Sequence, residues 1–310
     1  MKLIRGYNPF KHKINTVVTI GNFDGVHLGH QKLMTELKQV SEKLALPSVI
    51  LTFEPHPQEF FAHEKPVSRI MRLREKWMTL LRYKIDYLYC LKFNKKLANL
   101  FAEEFVEKIL VQALHAKKII IGEDFKFGFK RLGDLHLLKK MGDQFGFSVI
   151  ILPKENYQDE KISSSRVRDA LKIGDFKKAQ LLTGRPFFLS GKIIHGEKIG
   201  KNLGFPTANI LLHPMLSFLE GVFVVRVLGI GSKIIYGVAS IGYRSTFDIH
   251  HNKLLLEVYL FDFNQMIYGK NITVEFLKKI RDQIRFNAID DLVAQIKIDV
   301  AIAKNTLSRI

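Results

Sequence analysis

The stretch Thr16-Val17-Val18-Thr19-Ile20-Gly21-Asn22-Phe23-Asp24-Gly25-Val26-His27-Leu28-Gly29-His30 joins a β-branched run to a glycine-rich turn and then to an amphipathic segment. The pattern predicts a strand, a turn and a helix start. Glycines at 21, 25 and 29 let backbone N–H groups approach an anion, and the free N–H groups of the helix N-terminus carry partial positive charge. His27 and His30 are three residues apart, so a formed first helical turn sets both imidazoles on one face. The turn is no Walker A loop, because no Gly-Lys-Ser/Thr follows it. The chemistry it suggests is nucleotidyl transfer: attack on a nucleotide's α-phosphate, with cationic side chains stabilising the developing charge and Mg²⁺ on the leaving pyrophosphate.

From residue 15 to about 152, apolar strands are expected at 16–20, 48–53, 85–91, 117–122 and 147–152, separated by helical segments. That alternation predicts a parallel sheet, which binds ligands beyond the carboxyl ends of its strands. Leu33, Leu37, Val40 and Leu44 form one expected core stripe, and Phe101, Phe105, Val106 and Ile109 a second. Two short helices follow, at 164–172 and 175–182, and Thr183-Gly184-Arg185-Pro186 reads as a break. A domain boundary is therefore set between 183 and 184. Beyond it, short β-rich segments near 188–195, 222–229, 233–241, 254–262 and 271–278 lack crossover helices, and one helix from about 288 to 304 ends the pattern. A small antiparallel barrel is expected, with Leu292, Ile296 and Val300 of the last helix packed on it.

A chain of 310 residues is long enough for two such domains. Its apolar runs are too short to span a bilayer, and the start Met1-Lys2-Leu3-Ile4-Arg5 lacks a secretory apolar core, so a cytoplasmic protein without a membrane partner is expected. The single cysteine, Cys90, lies in an apolar strand and reads as a core residue. A net charge of +18 points to anionic partners, but the 48 Lys and Arg residues are scattered, with no block of five.

Further motifs fall at strand ends. Thr52-Phe53-Glu54-Pro55-His56-Pro57 is a proline-stiffened loop offering Phe53 and His56 to a planar ligand, and Gly122-Glu123-Asp124-Phe125-Lys126-Phe127-Gly128 offers aromatic faces beside Asp124. Ile162-Ser163-Ser164-Ser165-Arg166-Val167-Arg168 opens a helix with serine donors and brings Arg168 within its first turn or so, where a guanidinium clamps phosphate. In the second domain, residues 196–209, from Gly196 to Asn209, concentrate glycine, lysine and hydroxyl groups. They read as a flap over phosphates, backed by Thr207 and Asn209 as oxygen ligands to Mg²⁺. Glu257 is an acid within the apolar strand Leu254–Tyr259: either an outward-facing residue or the general base for a hydroxyl attacking ATP.

Together these segments, with TGRPF at 183–187, GVF at 221–223, LEVYLFDF at 256–263, YGKNITVEF at 268–276 and IRDQIRF at 280–286, resemble the prokaryotic bifunctional riboflavin kinase/FAD synthetase family. The resemblance implies an N-terminal Rossmann-like nucleotidylyltransferase over 1–183, which adenylates FMN to FAD. It also implies a β-barrel riboflavin kinase with a C-terminal helix over 184–310. Both steps use ATP and Mg²⁺, with riboflavin, FMN and FAD as substrates or products. By the same resemblance, Gly21, Phe23, Asp24, Gly25, His27 and His30, with Ser164, Ser165 and Arg168, hold the ATP phosphates for adenylyl transfer, and Phe53, His56, Pro57, Asp124 and Phe127 border the flavin. Gly196, Lys201, Gly204, Pro206, Thr207 and Asn209 would hold ATP in the kinase, Thr207 and Asn209 its Mg²⁺, and Glu257 would deprotonate the ribityl hydroxyl. The catalytic set is then His27, His30, Arg168 and Glu257.

Four positions depart from the family's pattern: Ser245 stands in place of proline, Phe223 of tyrosine, Glu123 of an aromatic and Lys130 of glycine. The competing reading is an RNA-binding or tRNA-related nucleotidyl-transfer protein, since class I aminoacyl-tRNA synthetases share the His-x-Gly-His turn. Against it, the chain has no Lys-Met-Ser-Lys-Ser loop and no aromatic-basic barrel face, so no nucleic-acid partner is expected.

Overall fold

The computed structural model describes residues 1–10, 14–62, 68–196, 199–231, 233–244 and 253–309. The chain divides into two compact units, one of residues 1–67 and 71–164 and the other of residues 68–70 and 165–310.

The first unit is built on six strands, β1 (Lys2–Arg5), β2 (Thr16–Ile20), β3 (Ser48–Glu54), β4 (Tyr87–Lys92), β5 (Ala116–Gly122) and β6 (Ser148–Leu152), in the order β1-β4-β3-β2-β5-β6. All neighbouring pairs are parallel. Every residue of β2 is buried, as expected of a central strand covered on both faces. The helices are α1 (Leu28–Lys43), α2 (Pro57–Phe61), α3 (Leu73–Leu80), α4 (Lys95–Ala98), α5 (Ala102–Phe105), which runs into a π-helical stretch Val106–Ala113, and α6 (Leu135–Phe145). A short hairpin, β7 (Asn156–Tyr157) with β8 (Glu160–Lys161), follows β6. After β2 the chain lays β3 and β4 on one side and β5 and β6 on the other, which makes the β2/β5 junction the switch point where such sheets bind ligands.

Three expectations need correction here. Strand β1 was not foreseen, because four residues with charged ends at a sheet edge carry little pattern. On α1 the buried stripe is Met34, Leu37 and Ser41 rather than Leu33, Leu37, Val40 and Leu44; Leu44, past the helix end, is exposed. Phe101 is 59% exposed because it is the N-cap of α5, whereas Phe105, Val106 and Ile109 are core as expected.

The second unit opens with α7 (Ser164–Ile173), whose first residue closes the first unit, and α8 (Phe176–Thr183). It continues through β9 (Phe188–Lys192), α9 (Ile199–Asn202), β10 (Thr207–Leu211), β11 (Gly221–Leu228), β12 (Ile235–Arg244), β13 (Lys253–Leu260), β14 (Asn271–Arg281) and α10 (Ile289–Leu307). The strands form an antiparallel sheet in the order β10-β13-β12-β11-β14-β9. The Ile194 N–H, just past β9, donates to the Asn209 carbonyl at 2.8 Å and brings the two edges of the sheet together as a small barrel. Strand β10 was not foreseen either, since its five residues follow a glycine-rich run and Pro206.

An aromatic cluster anchors α8 to this barrel: the Phe176 ring lies 5.7 Å from Phe223 and 5.6 Å from Phe276, and those two are 5.2 Å apart. Phe223 is buried there, so the hydroxyl it lacks relative to the family's tyrosine is a matter of core packing. On α10, Leu292, Ile296 and Val300 are only half-buried. The helix is held instead by Asp299, which accepts from the Arg281 guanidinium at 3.0 Å (Nε) and 2.7 Å (Nη2) and from Gln295 at 2.9 Å.

Candidate active sites

In the first unit, β2 ends at Ile20 and α1 begins at Leu28, so the seven residues between them form the turn. Its backbone takes left-handed angles at Phe23 (φ 49°), Gly25 (φ 81°) and Val26 (φ 40°). Left-handed φ is costly for a β-branched residue, and such strain gathers at functional sites. Phe23 and Val26 are fully buried, which over-determines the conformation. The Phe23 ring lies beneath Gly21, where a Cβ would come within 3.0 Å of it, and meets the His30 ring edge-on at 5.2 Å.

His27 is the N-cap of α1, its Nδ1 accepting the His30 N–H at 3.3 Å. A neutral ring accepting at Nδ1 carries its proton on Nε2, so that edge is the donor. The His27 and His30 rings stack at 3.6 Å, and Gly29 allows it: a Cβ there would lie 3.3 Å from the His27 ring. The first turn of α1 holds no acidic side chain to offset its positive end.

These groups border a cavity of about 230 Å³, lined by His27, Gly29, His30 and Leu33 on one side and by Gly122–Phe125, Leu152–Glu155 and Lys161–Ser163 on the other. A second cavity of about 410 Å³ adjoins Gly21 and Asn22 and is walled by Phe53, Pro57, Phe61, Phe93, Phe105, Phe125 and Phe127, with Lys126, Lys130 and Arg131 also lining it. Asp124 and Phe125 belong to both walls. Asp124 pairs with Lys154 at 3.0 Å and with Lys161, while Glu123 pairs with Lys154 at 3.1 Å.

Of the residues expected around ATP, the structure brings together Gly21, Phe23, His27 and His30. Asp24 is buried and its Oδ1 accepts the Met71 N–H at 3.1 Å, while Ser164 Oγ donates to the Asp24 carbonyl at 2.7 Å. Ser165 is exposed and Arg168 half-buried on α7, and both fall in the second compact unit. Of those expected around the flavin, Phe53, Pro57, Asp124 and Phe127 line the larger cavity. His56 is buried and caps α2, its Nδ1 accepting the Gln58 N–H at 3.2 Å. Phe61 and Phe93 were missed. The Phe60-Phe61 pair, two residues beyond the Pro57-Gln58 step, was the available signal.

In the second unit, Asn209 on β10 pairs directly with Glu257 on β13, and Thr207 with Tyr259. Opposed residues share a face, as do alternate residues along a strand, so Thr207, Asn209, Glu257 and Tyr259 lie on one side of the sheet. Leu254, Leu256, Val258 and Leu260 are buried on the other. Glu257 thus faces away from the core built by those leucines and valine, yet it is only half-exposed.

Gly196 and Gly200 of the glycine-rich segment lie against this face. A Cβ at Gly196 would come within 2.7 Å of Asn209 Nδ2, and one at Gly200 within 2.5 Å of the Phe205 carbonyl and 3.4 Å of Thr207 Oγ1. One helical turn, α9, lies within it and holds Lys201; Gly204 follows at φ 87°, before Pro206. Asn209 is 5% exposed and its Oδ1 has no hydrogen-bond partner among the described residues. An orphaned buried amide oxygen beside a hydroxyl suits a hard cation such as Mg²⁺, which takes oxygen ligands and keeps waters or phosphate oxygens in its other positions. Ser245 lies outside the described residues.

Residues 10–166 match the FAD synthetase family and residues 183–307 the riboflavin kinase family. The chain is 43% identical over 305 residues to the bifunctional riboflavin kinase/FMN adenylyltransferase of Buchnera aphidicola subsp. Acyrthosiphon pisum, covering 98% of this chain and 97% of the relative. It is 41% identical over 306 residues to the protein of the same name from Escherichia coli K12, covering 98% and 97%. A crystal structure described as a macrolide-efflux protein from Streptococcus pneumoniae superposes with a TM-score of 0.81 at 34% identity, covering 98% of this chain and 99% of that one. No described helix of the present chain is long and apolar enough to cross a membrane. With both halves matched in the expected order and relatives aligned over nearly their whole length, the chain belongs to the bifunctional riboflavin kinase/FMN adenylyltransferase family.

Proposed function

We propose that the chain phosphorylates riboflavin to FMN in its barrel and adenylylates FMN to FAD at the switch point of its parallel sheet, using ATP in both steps. The functional division is taken at 183/184, following the Thr183-Gly184-Arg185-Pro186 break in the sequence. The observation that carries the first half of the proposal is the stacked His27–His30 pair at the N-terminus of α1, beside two adjoining cavities. The larger, phenylalanine-walled cavity suits the isoalloxazine ring, and the smaller suits the nucleotide.

In adenylyl transfer, an FMN phosphate oxygen attacks the α-phosphorus of ATP, the bond to the bridging oxygen breaks, and pyrophosphate leaves. His27 donates from Nε2 to the phosphates, His30 stands beside it, and the end of α1 adds its dipole. Ser164 ties the start of α7 to the turn, so that Ser165 and Arg168 follow in the first turns of that helix.

In the kinase, Glu257 accepts the proton of the ribityl hydroxyl as its oxygen attacks the γ-phosphorus and ADP leaves. Asn209 Oδ1 and Thr207 Oγ1 would hold Mg²⁺, which would neutralise charge on the ATP phosphates. Gly196 and Gly200 let the flap lie close over those oxygens. Incubating the pure protein with riboflavin, ATP and Mg²⁺ and separating the flavins by chromatography tests the proposal. FMN and FAD are both expected, and tight, salt-sensitive RNA binding with no flavin turnover would refute it.

A further inference from the structure

Helix α3 carries two buried charged side chains, Glu75 and Lys76. Glu75 is paired within its own helix turn by Arg72, whose Nε donates at 3.1 Å. Lys76 reaches out of the helix instead: its Nζ donates to the Asn22 carbonyl at 2.6 Å and to Thr52 Oγ1 at 3.4 Å. Asn22 lies in the adenylyl-transfer turn, between Gly21 and the left-handed Phe23. Five residues before Lys76, the Met71 N–H donates to the Asp24 carboxylate. The segment 71–76 therefore grips the turn at two points, Asn22 and Asp24.

A buried ammonium is an expensive way to fill space, since desolvating it costs several kcal/mol and an apolar side chain of similar length would pack there without that penalty. Its direction gives it a use. In a trans peptide the carbonyl and the following N–H point opposite ways, so holding the Asn22 oxygen toward α3 turns the Phe23 N–H away from α3.

We propose that Lys76 is a positioning residue for adenylyl transfer: its charge-assisted hydrogen bond sets the orientation of the Asn22–Phe23 peptide in the turn that receives the polyphosphate. The proposal rests on the reading that this turn receives ATP.

The test uses the full chain with K76M, K76R and K76Q, and reads FMN-to-FAD kinetics: KM for ATP, kcat, and inhibition by inorganic pyrophosphate. Circular dichroism and urea unfolding of the same molecules report on the folding of the unit that carries α3. Losing a charge-assisted hydrogen bond should raise both the KM for ATP and the pyrophosphate inhibition constant about tenfold or more in K76M. K76R should recover part of the loss, and K76Q, a neutral donor, less. Lowered kcat with KM and pyrophosphate inhibition unchanged is the mark of a merely structural lysine and overturns the proposal, as does no change at all. Should K76M fail to fold, the same two constants in K76Q decide. H27A separates the premises: if it leaves FAD formation intact, the reading of the turn fails, whereas a crippled H27A beside silent Lys76 variants sinks the Lys76 proposal alone.

Discussion

Asn209 and Glu257 stand directly opposite one another on the antiparallel strands β10 and β13. The proposed cation ligand and the proposed base of the kinase are thereby held by backbone pairing rather than by loop geometry. E257Q preserves shape and removes the base, so initial rates of riboflavin phosphorylation should fall by about 10²–10⁴. FMN-to-FAD conversion by the same protein should keep its wild-type rate.

Gly196 can approach Asn209 only because it lacks a side chain. In G196A the added methyl meets Asn209 Nδ2 at 2.7 Å, and relieving that contact should cost about 1–3 kcal/mol at the proposed cation site. A Mg²⁺ titration of kinase activity should show a half-saturating concentration raised about tenfold. An unchanged titration would place the cation elsewhere.

His27 combines a cap with a proposed catalytic role, and two substitutions separate them. H27A removes the side-chain acceptor for the His30 N–H and should lower the unfolding free energy by about 1 kcal/mol, whereas H27N retains an acceptor and should keep wild-type stability. Both should lose about 10²–10³ in the rate of FAD formation, leaving FMN as the end product from riboflavin. Recovery of FAD synthesis in H27N would reduce His27 to a cap.

Asp86 should shape the acid limb of stability. Burial pushes its carboxyl up, but donation from Ser48 Oγ at 2.6 Å and Ser48 N–H at 2.9 Å, with the charges of Lys38 and the N-terminus, outweighs burial and holds it below its ordinary value. A depressed carboxyl favours folding above its unfolded value of about 3.8, and the contribution disappears as pH falls through the folded one. Urea unfolding below pH 5 should therefore show a shallower loss of stability in D86N than in the wild type.

The parallel sheet was legible because β2 to β6 are apolar runs separated by helix-length segments, and β2 came out at its expected bounds. The barrel was legible from the change of period after Pro186. Strands β1 and β10 were not, being four and five residues long and flanked by charges or glycines, so that sheet pairing rather than local pattern makes them. Among candidate site residues, motif spacing pointed to His27, Asn209 and Phe127, which the structure places at the start of α1, buried on β10 and in the wall of the larger cavity. It could not reveal that Asp24 and His56 would be occupied by backbone amides, because those partners are set by tertiary geometry. Lys76 escaped for the same reason: on a helix it reads as a solvated charge, and only the fold turns it inward.

On the proposed function, two separate sites in one chain act in sequence, with FMN passing from one to the other. Mixing H27A with E257Q in the presence of riboflavin, ATP and Mg²⁺, and following the flavins by chromatography, tests it most directly. Neither variant alone should make appreciable FAD from riboflavin: H27A should stop at FMN, and E257Q should leave riboflavin while converting added FMN. The mixture should make FAD. A mixture that accumulates FMN without FAD, or either variant making FAD from riboflavin at the wild-type rate, would contradict it.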